Sequence, residues 1–356
     1  MSLTTVGILF GGQSGEHEVS LMSVQSVLAA LDRQRYQPVL MGIDKQGRWL
    51  YERPLQRLLA GESAPAGTPR WPDPTRLANI DIIFPVLHGT YGEDGVVQGF
   101  LELANLPYVG AGVLASALAM DKSVSKQVFA AQGLPQTPWQ TVSRAQVQAT
   151  PEAVLAQLEA RLAYPMFTKP ANLGSSVGIS KAHNRQELLA GLQEAAEYDI
   201  IIVVEQAVLH VREIEVSVMG NDHLQTSIPG EVIPSNEFYD YTAKYHSQDS
   251  QTLIPAPISP ELTAQVQTMA QQAFRAIQGS GLARVDFLLD DASGQLYLNE
   301  VNTMPGFTQI SMFPKLWTAS GLAYPDLLHQ LIQLGFQRYQ QRNSLRTTHL
   351  PHSPNP

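Results

Sequence analysis

With 356 residues the chain is too long for one small core and points to two or three domains. Hydrophobic residues at 44% and charged residues at 15% give an ordinary globular balance, and 23 basic against 32 acidic side chains give −9, which argues against nucleic acid or an anionic membrane as the main partner. The absence of cysteine excludes disulfides, thiolate zinc sites and a cysteine nucleophile; with no basic N-terminal region and no run near the roughly 18 apolar residues of a membrane span, a soluble, cytoplasmic protein is expected.

In chain order, TVGILF (5 to 10) ends at Gly11-Gly12 and reads as a buried parallel strand entering a tight loop. Leu21, Val24, Val27, Leu28 and Leu31 recur at helical spacing, with Ser14 as the expected cap. YQPVLMGID predicts a second strand, and 62 to 74, rich in proline and small residues, a surface excursion. IDIIFPVLHG predicts a further strand and GVVQGFLELAN a helix, so residues 1–121 read as a doubly wound, Rossmann-like α/β domain.

After MDKSVSKQVFAAQGLP the texture changes. YPMFTKPANLGSSVGISKA reads as strand, Gly/Ser loop and strand, with RQELLAGLQEAAEY as a helix behind it. IIIVVEQAV is a nearly continuous apolar strand, and REIEVSVMG alternates as a half-buried one. A second domain is expected over 122–209 and a third over 210–356, ending in a frayed polar tail.

The stretch ARVDFLLDDASGQLYLNEVNTMPGFTQIS, 283 to 311, carries the sharpest chemical signal. A three-residue loop Ala292-Ser293-Gly294 would fold it into a hairpin pairing Asp286 with Glu300 and Arg284 with Asn302. Period-two alternation places those four on one face and Val285, Phe287 and Leu289 on the core face. Facing carboxylates repel unless a positive charge lies between them, and hard oxygens at an open site suit Mg²⁺ with substrate phosphates. Plain solvated acids on a sheet face are the alternative, which the asparagine, the arginine and the following NTMPGF disfavour.

Lysines are few, so their placement is informative. Lys169 ends an apolar strand and precedes PANLGSSVG, whose glycines and serines would let a phosphate approach the backbone, although the loop is not a Walker A motif. Lys122 sits at the expected domain boundary and Lys244 inside FYDYTAKYH. Glu205 leads out of a buried strand where an adenine edge could bind. His17, Trp139 and Trp317 read as structural, Glu93 and Asp94 as caps of the following helix, and Lys126 and Lys181 as solvent-facing.

Together GGQSGEHEVS (11 to 20), LHGTYGEDG (87 to 95), MDK (120 to 122), KPANLGSSVG, VVEQ, EFYDYTAKY (237 to 245) and the hairpin resemble the D-alanine–D-alanine ligases of the ATP-grasp superfamily, in that family's order and over nearly the whole chain to about 330. The resemblance implies a three-domain ATP-grasp architecture, mixed α/β and α+β, with ATP, two Mg²⁺ or Mn²⁺ ions, two D-alanine sites and a homodimer. It implies that Lys122 and Lys169 contact the nucleotide phosphates, that Gly174, Ser175 and Ser176 close over them, that Lys244, with Tyr245, belongs to a mobile loop covering the site on the cofactor side, and that Glu205, Gln206, Ala207 and Val208 border the adenine, with Glu213 at the ribose. Asp286, Glu300 and Asn302 would hold the metal ions. Glu16, linked to Ser175 and Tyr245, would grip the first ammonium group. His88 would lie near the first substrate. Arg284 and the Gly306 N–H would stabilise the oxyanion, while Ser311 and Met312 position the second carboxylate.

The residue types fit such a reaction. A carboxylate is a poor electrophile, and phosphoryl transfer makes it an acyl phosphate with a good leaving group. That species must be kept from water, and Asn236 to Tyr245 and LGSSVG are the candidate lids. A depsipeptide ligase using D-lactate is a rival, disfavoured because the tyrosine of FYDYTAKY goes with dipeptide formation in the family. A non-catalytic nucleotide-binding regulator is disfavoured because every metal ligand and Arg284 are present. A dinucleotide binder is suggested only by VGILFGG, which lacks G-x-G-x-x-G.

Overall fold

The computed structural model describes residues 3–233 and 251–346. Its first sheet has the order β3-β2-β1-β4, built from β1 (Thr4–Gly11), β2 (Tyr36–Ile43), β3 (Trp49–Leu50) and β4 (Ile82–Leu87), with β1 parallel to both β2 and β4. Strands buried on both faces need no alternation, which is why TVGILF and IIFPVL read as continuous apolar runs. On one face Val6, Ile8 and Phe10 pack against Val24 and Val27 of α1 (His17–Ala30). On the other, Leu9, Ile83 and Leu87 meet Val97 and Leu101 of α4 (Val96–Leu103), with α2 (Pro54–Leu59) and α3 (Pro74–Leu77) between β3 and β4 in the chain. Each such buried aliphatic side chain contributes about 1.5–3 kcal/mol. The excursion at 62 to 74 is largely exposed, and the buried Asp44 carboxylate pins its start by accepting from the Ala64 N–H at 2.9 Å.

The second sheet, order β5-β8-β6-β7, is antiparallel: β5 (Trp139–Ser143), β6 (Met166–Pro170), β7 (Ser180–Ala182) and β8 (Ile201–Gln206). Before it come α5 (Val113–Met120) and α6 (Lys122–Ala131), and α7 (Arg144–Ala149), α8 (Pro151–Glu159) and α9 (Arg185–Tyr198) cover its core face through Val154, Leu158, Leu188 and Leu192. The third sheet, order β12-β11-β9-β13-β14 with β10 on β9, comprises β9 (Val211–Gly220), β10 (Gln225–Thr226), β11 (Gly230–Ile233), β12 (Gln251–Leu253), β13 (Gly281–Asp290) and β14 (Leu296–Asn302). Helix α10 (Pro260–Ala276) packs Val266, Ala270 and Phe274 onto it. Helices α11 (Met312–Ala319) and α12 (Tyr324–Asn343) close the described chain, and Leu327, Leu328, Leu331 and Ile332 of α12 pack back onto the first sheet.

Three local expectations are corrected. Ser14 is not the cap of α1: Glu16 holds that position, and the Ser14 hydroxyl accepts from Glu16 N–H and donates to the His88 carbonyl. Strand β9 is not half-buried, because it lies between β11 and β13 and is buried from Ile214 to Gly220. The β13–β14 loop has four residues, Asp291 to Gly294, closed by Asp290 N–H to the Gln295 carbonyl at 3.0 Å. That extra residue would slip the register by one, but a bulge at Asn299 takes it up, so Phe287 pairs with Leu298 while Asp286 still faces Glu300 and Arg284 faces Asn302. The bulge also lets Leu298 and Val301, three residues apart, both enter the core.

Candidate active site

A cavity of about 270 Å³ opens among the three sheets, and every candidate residue within the described chain lines it. Lys244 and Tyr245, with the rest of the Asn236 to Tyr245 segment, lie outside the described residues.

The β1–α1 turn delivers Glu16. The Ser20 hydroxyl accepts from Gly11 N–H at 2.8 Å and donates to the Val86 carbonyl, and His17 Nδ1 bonds the Gly12 carbonyl at 2.8 Å, which makes His17 a buried structural residue. These bonds tie the loop to the end of β4, so Glu16 starts α1 and still turns its carboxylate into the cleft. There it accepts from the Ser175 hydroxyl. A Cβ on Gly174 would stand 2.8 Å from Glu16 Oε1, so glycine is what lets the 174 to 176 loop come this close. Ser175 and Ser176 hold left-handed backbone, φ 51° and 57°, a strained pair at a ligand-facing loop.

His88 is fully enclosed. Its Nδ1 bonds the Met304 carbonyl at 3.0 Å, so that nitrogen carries the proton and Nε2 accepts from the Ser23 hydroxyl at 3.0 Å. Burial pulls its pKa below the ordinary histidine value against the opposing pull of Glu16, leaving a neutral ring. Glu93 is not a cap: Gly95 occupies the cap position of α4, and the Glu93 carboxyl turns inward to accept from Gly89 N–H at 2.7 Å. Burial, reinforced by the nearby Glu16 charge, raises its pKa well above the carboxylate range. Asp94 does bond the first turn, accepting from Val96 N–H at 3.1 Å.

Asp121 caps α6 by accepting from Ser123 and Val124 N–H, which fixes Lys122 at the cleft. Lys122 Nζ donates to the Leu173 carbonyl at 2.7 Å and stands 3.9 Å from Glu300. Lys169 Nζ lies 3.1 Å from Glu205, whose other oxygen is 3.3 Å from Lys126. Lys126, expected in solvent, is 1% exposed, and Lys181 is half-buried near the Phe167 ring. Burial works to raise the Glu205 pKa, but the two ammonium groups overcome it and hold it at about 2. Trp317 is a packing residue in the core, while Trp139 is only half-buried.

On the hairpin, Arg284 Nε and Nη2 donate to the two oxygens of Asp286, both at 2.7 Å, and Asn302 Nδ2 donates to Asp286 Oδ2 at 2.9 Å. Glu215 on β9, missed in the sequence, lies 3.0 Å from Arg284 Nε. Burial opposes the Arg284 charge, yet Asp286 and Glu215 outweigh it and hold its pKa well above the usual value. Among the described residues no three His, Asp or Glu side chains gather into a complete metal cage. Asp286, Glu300 and the Asn302 amide oxygen are hard donors on one cleft-facing side, too few for six-coordination. They fit an ion that takes its remaining ligands from phosphate and water.

Beyond β14, Ser311 Oγ accepts from Thr308 N–H at 3.1 Å and bonds Thr308 Oγ1 at 2.7 Å. Gly306 lies directly beneath, and a Cβ there would be 2.6 Å from Ser311 Oγ.

Residues 5–111 match the model of the D-ala D-ala ligase N-terminus, and residues 128–333 that of the D-ala D-ala ligase C-terminus. The chain belongs to the D-alanine–D-alanine ligase family. A D-alanine–D-alanine ligase of Heliobacterium modesticaldum is 51% identical, covering 99% of this chain and 100% of its own, and one of Natranaerobius thermophilus is 47% identical over 96% and 98%. Among solved structures, the D-alanine–D-alanine ligase of Coxiella burnetii superposes with a TM-score of 0.82 at 36% identity, covering 97% of each chain. A D-Ala:D-Ser ligase from Enterococcus faecalis gives 0.81 at 33%, covering 94% of this chain and 100% of that one. The fold is therefore that of the ATP-grasp ligases, and no described helix is long and apolar enough to cross a membrane.

Proposed function

We propose that the chain joins two D-alanine molecules into D-alanyl-D-alanine, with ATP converted to ADP and phosphate, through a D-alanyl phosphate intermediate. The observation that carries this reading is the convergence in one cleft of a carboxylate–serine pair at a helix start, two lysines, and a hairpin with opposed carboxylates beside an arginine, in a chain matched end to end by ligases of this family.

Glu16, at the start of α1, binds the first ammonium group, its position fixed by Ser175. Lys122 and Lys169 face the phosphates, and the loop of Gly174, Ser175 and Ser176 lies against them. Asp286, Glu300 and Asn302 would hold two Mg²⁺ ions, which when bound neutralise phosphate charge. The Glu205 carboxylate is committed to its two lysines, so the adenine falls to the backbone from Gln206 to Val208 and the ribose to Glu213. The first carboxylate attacks the γ-phosphorus and ADP leaves. The second amine then attacks the acyl carbon and expels phosphate, with the developing oxyanion opposite Arg284 and the Gly306 N–H. Neutral His88 lies near the first D-alanine without adding charge, while Ser311 and Met312 set the second carboxylate. Lys244 and Tyr245 complete the lid in this reading. The division 1–121, 122–209 and 210–356 is part of the same proposal, supported by one sheet in each part. So are a homodimer and a cytoplasmic setting, where ATP is supplied.

The intermediate has a direct test. D-alanine labelled with ¹⁸O in its carboxylate must pass one labelled oxygen to inorganic phosphate as the peptide bond forms. Unlabelled phosphate accompanying dipeptide would eliminate the acyl phosphate.

A further inference from the structure

Lys126 is sealed, its side chain 2% exposed, and one helical turn along α6 from Lys122 it reaches beneath the cleft to Glu205. The Glu205 carboxylate, 3% exposed, is thereby shared: Oε2 faces Lys126 at 3.3 Å and accepts from the Thr137 hydroxyl at 3.2 Å, while Oε1 faces Lys169 at 3.1 Å. One lysine would suffice to neutralise this carboxylate. Buried ion pairs contribute little net stability compared with apolar packing, so a second sealed ammonium is poorly explained by stability alone. Burial lowers the Lys126 pKa against the opposing pull of Glu205, and with both lysines protonated on one carboxylate the unit stands at +1. Because Lys126 has no access to the cleft, that surplus charge is presented by Lys169, which lines it.

We propose that Lys126 is a positioning residue for the reaction: by taking up part of the Glu205 charge, it keeps Lys169 from being held as a neutral pair and leaves its ammonium for the nucleotide phosphates. This rests on the reading of Lys169 as a phosphate ligand. With Lys126 replaced by methionine, Glu205 is left to Lys169 alone and the unit falls to zero. Replacing Glu205 by glutamine as well frees Lys169 and returns the unit to +1. The two substitutions thus act in opposite directions on one quantity, nucleotide affinity.

The test is steady-state kinetics and ADP binding by calorimetry on the full-length protein with Lys126→Met, Lys126→Arg, Lys126→Met/Glu205→Gln and Lys169→Ala, together with Tm for each. Lys126→Met should raise the ATP KM and the ADP Kd on the order of tenfold, with D-alanine constants within about twofold. Lys126→Arg should retain most of the nucleotide affinity, and the double variant should recover most of what Lys126→Met loses. Lys126→Met with normal nucleotide constants, or with ATP and D-alanine constants moving together as Tm drops and no recovery in the double variant, overturns the positioning role while Lys169→Ala still weakens ATP. Should Lys169→Ala itself leave nucleotide binding unchanged, the phosphate-ligand reading fails first and the positioning role goes with it.

Discussion

Gly306→Ala is the most discriminating perturbation of the second-substrate site. The new methyl would sit 2.6 Å from Ser311 Oγ, about 0.8 Å inside ordinary contact at 3.4 Å, yet 3.5 Å from Ser311 Cβ. The clash is therefore with the hydroxyl alone. Its retreat breaks the bonds to Thr308 N–H and Thr308 Oγ1, now 3.1 and 2.7 Å, at about 0.5–1.5 kcal/mol each, or roughly 1–3 kcal/mol in all. If Ser311 orients the second carboxylate, losing that charge-assisted contact lowers kcat/KM for the second D-alanine by about 10- to 100-fold with the ATP KM unchanged. In a Ser311→Ala background the extra methyl has room, so the double variant should be no slower than Ser311→Ala by more than about twofold. The assay is dipeptide formation at varied D-alanine and saturating ATP. Fully additive losses, or a Gly306→Ala enzyme with normal D-alanine constants, would refute this packing of the site.

Other outcomes follow from the same geometry. Glu16→Gln removes the charge that faces the first ammonium group and should raise that D-alanine constant by at least about tenfold, measured by the same assay. Glu300→Gln should abolish Mg²⁺-dependent turnover while circular dichroism and Tm stay unchanged; near-normal activity would contradict the metal assignment. Glu93 is half-buried and its pKa is raised, so its contribution to stability is full below the unfolded value near 4.5 and is lost as pH rises through its folded value. Glu93→Gln should therefore gain stability relative to the parent as pH rises above the unfolded value near 4.5 in urea titrations, by about 1.4 kcal/mol per pH unit at most. A pH-independent difference would show that folding does not raise the Glu93 pKa.

Much of the site was legible because its chemistry is local. The opposition of Asp286 and Glu300 needs only two short strands and one turn, and it survived an error: the loop is one residue longer than expected, and the Asn299 bulge cancels the slip. What could not be read depends on contacts between distant segments. Lys126 looks like a surface lysine in SVSKQVF until α6 is packed over β8, and only then does Glu205 meet it. Glu93 looks like a cap until the loop after β4 folds its carboxyl inward. Glu215 had a visible signal, a carboxylate two residues after Glu213 and flanked by Ile214 and Val216, but its role required knowing that β9 lies beside β13, with Glu215 opposite Asp286. The half-buried reading of β9 failed for the same reason: alternation in one strand does not reveal that neighbours cover both its edges and faces.

Phosphate release from ATP with product analysis decides the identity of the two substrates. With the purified protein and Mg²⁺, D-alanine should support release together with one D-alanyl-D-alanine per phosphate. L-alanine should give none above background, and D-lactate or D-serine added beside D-alanine should yield little mixed product. A protein silent with D-alanine but active with another acid or amine, or one that forms mainly the D-serine or D-lactate product, would rule out D-alanine as both substrates.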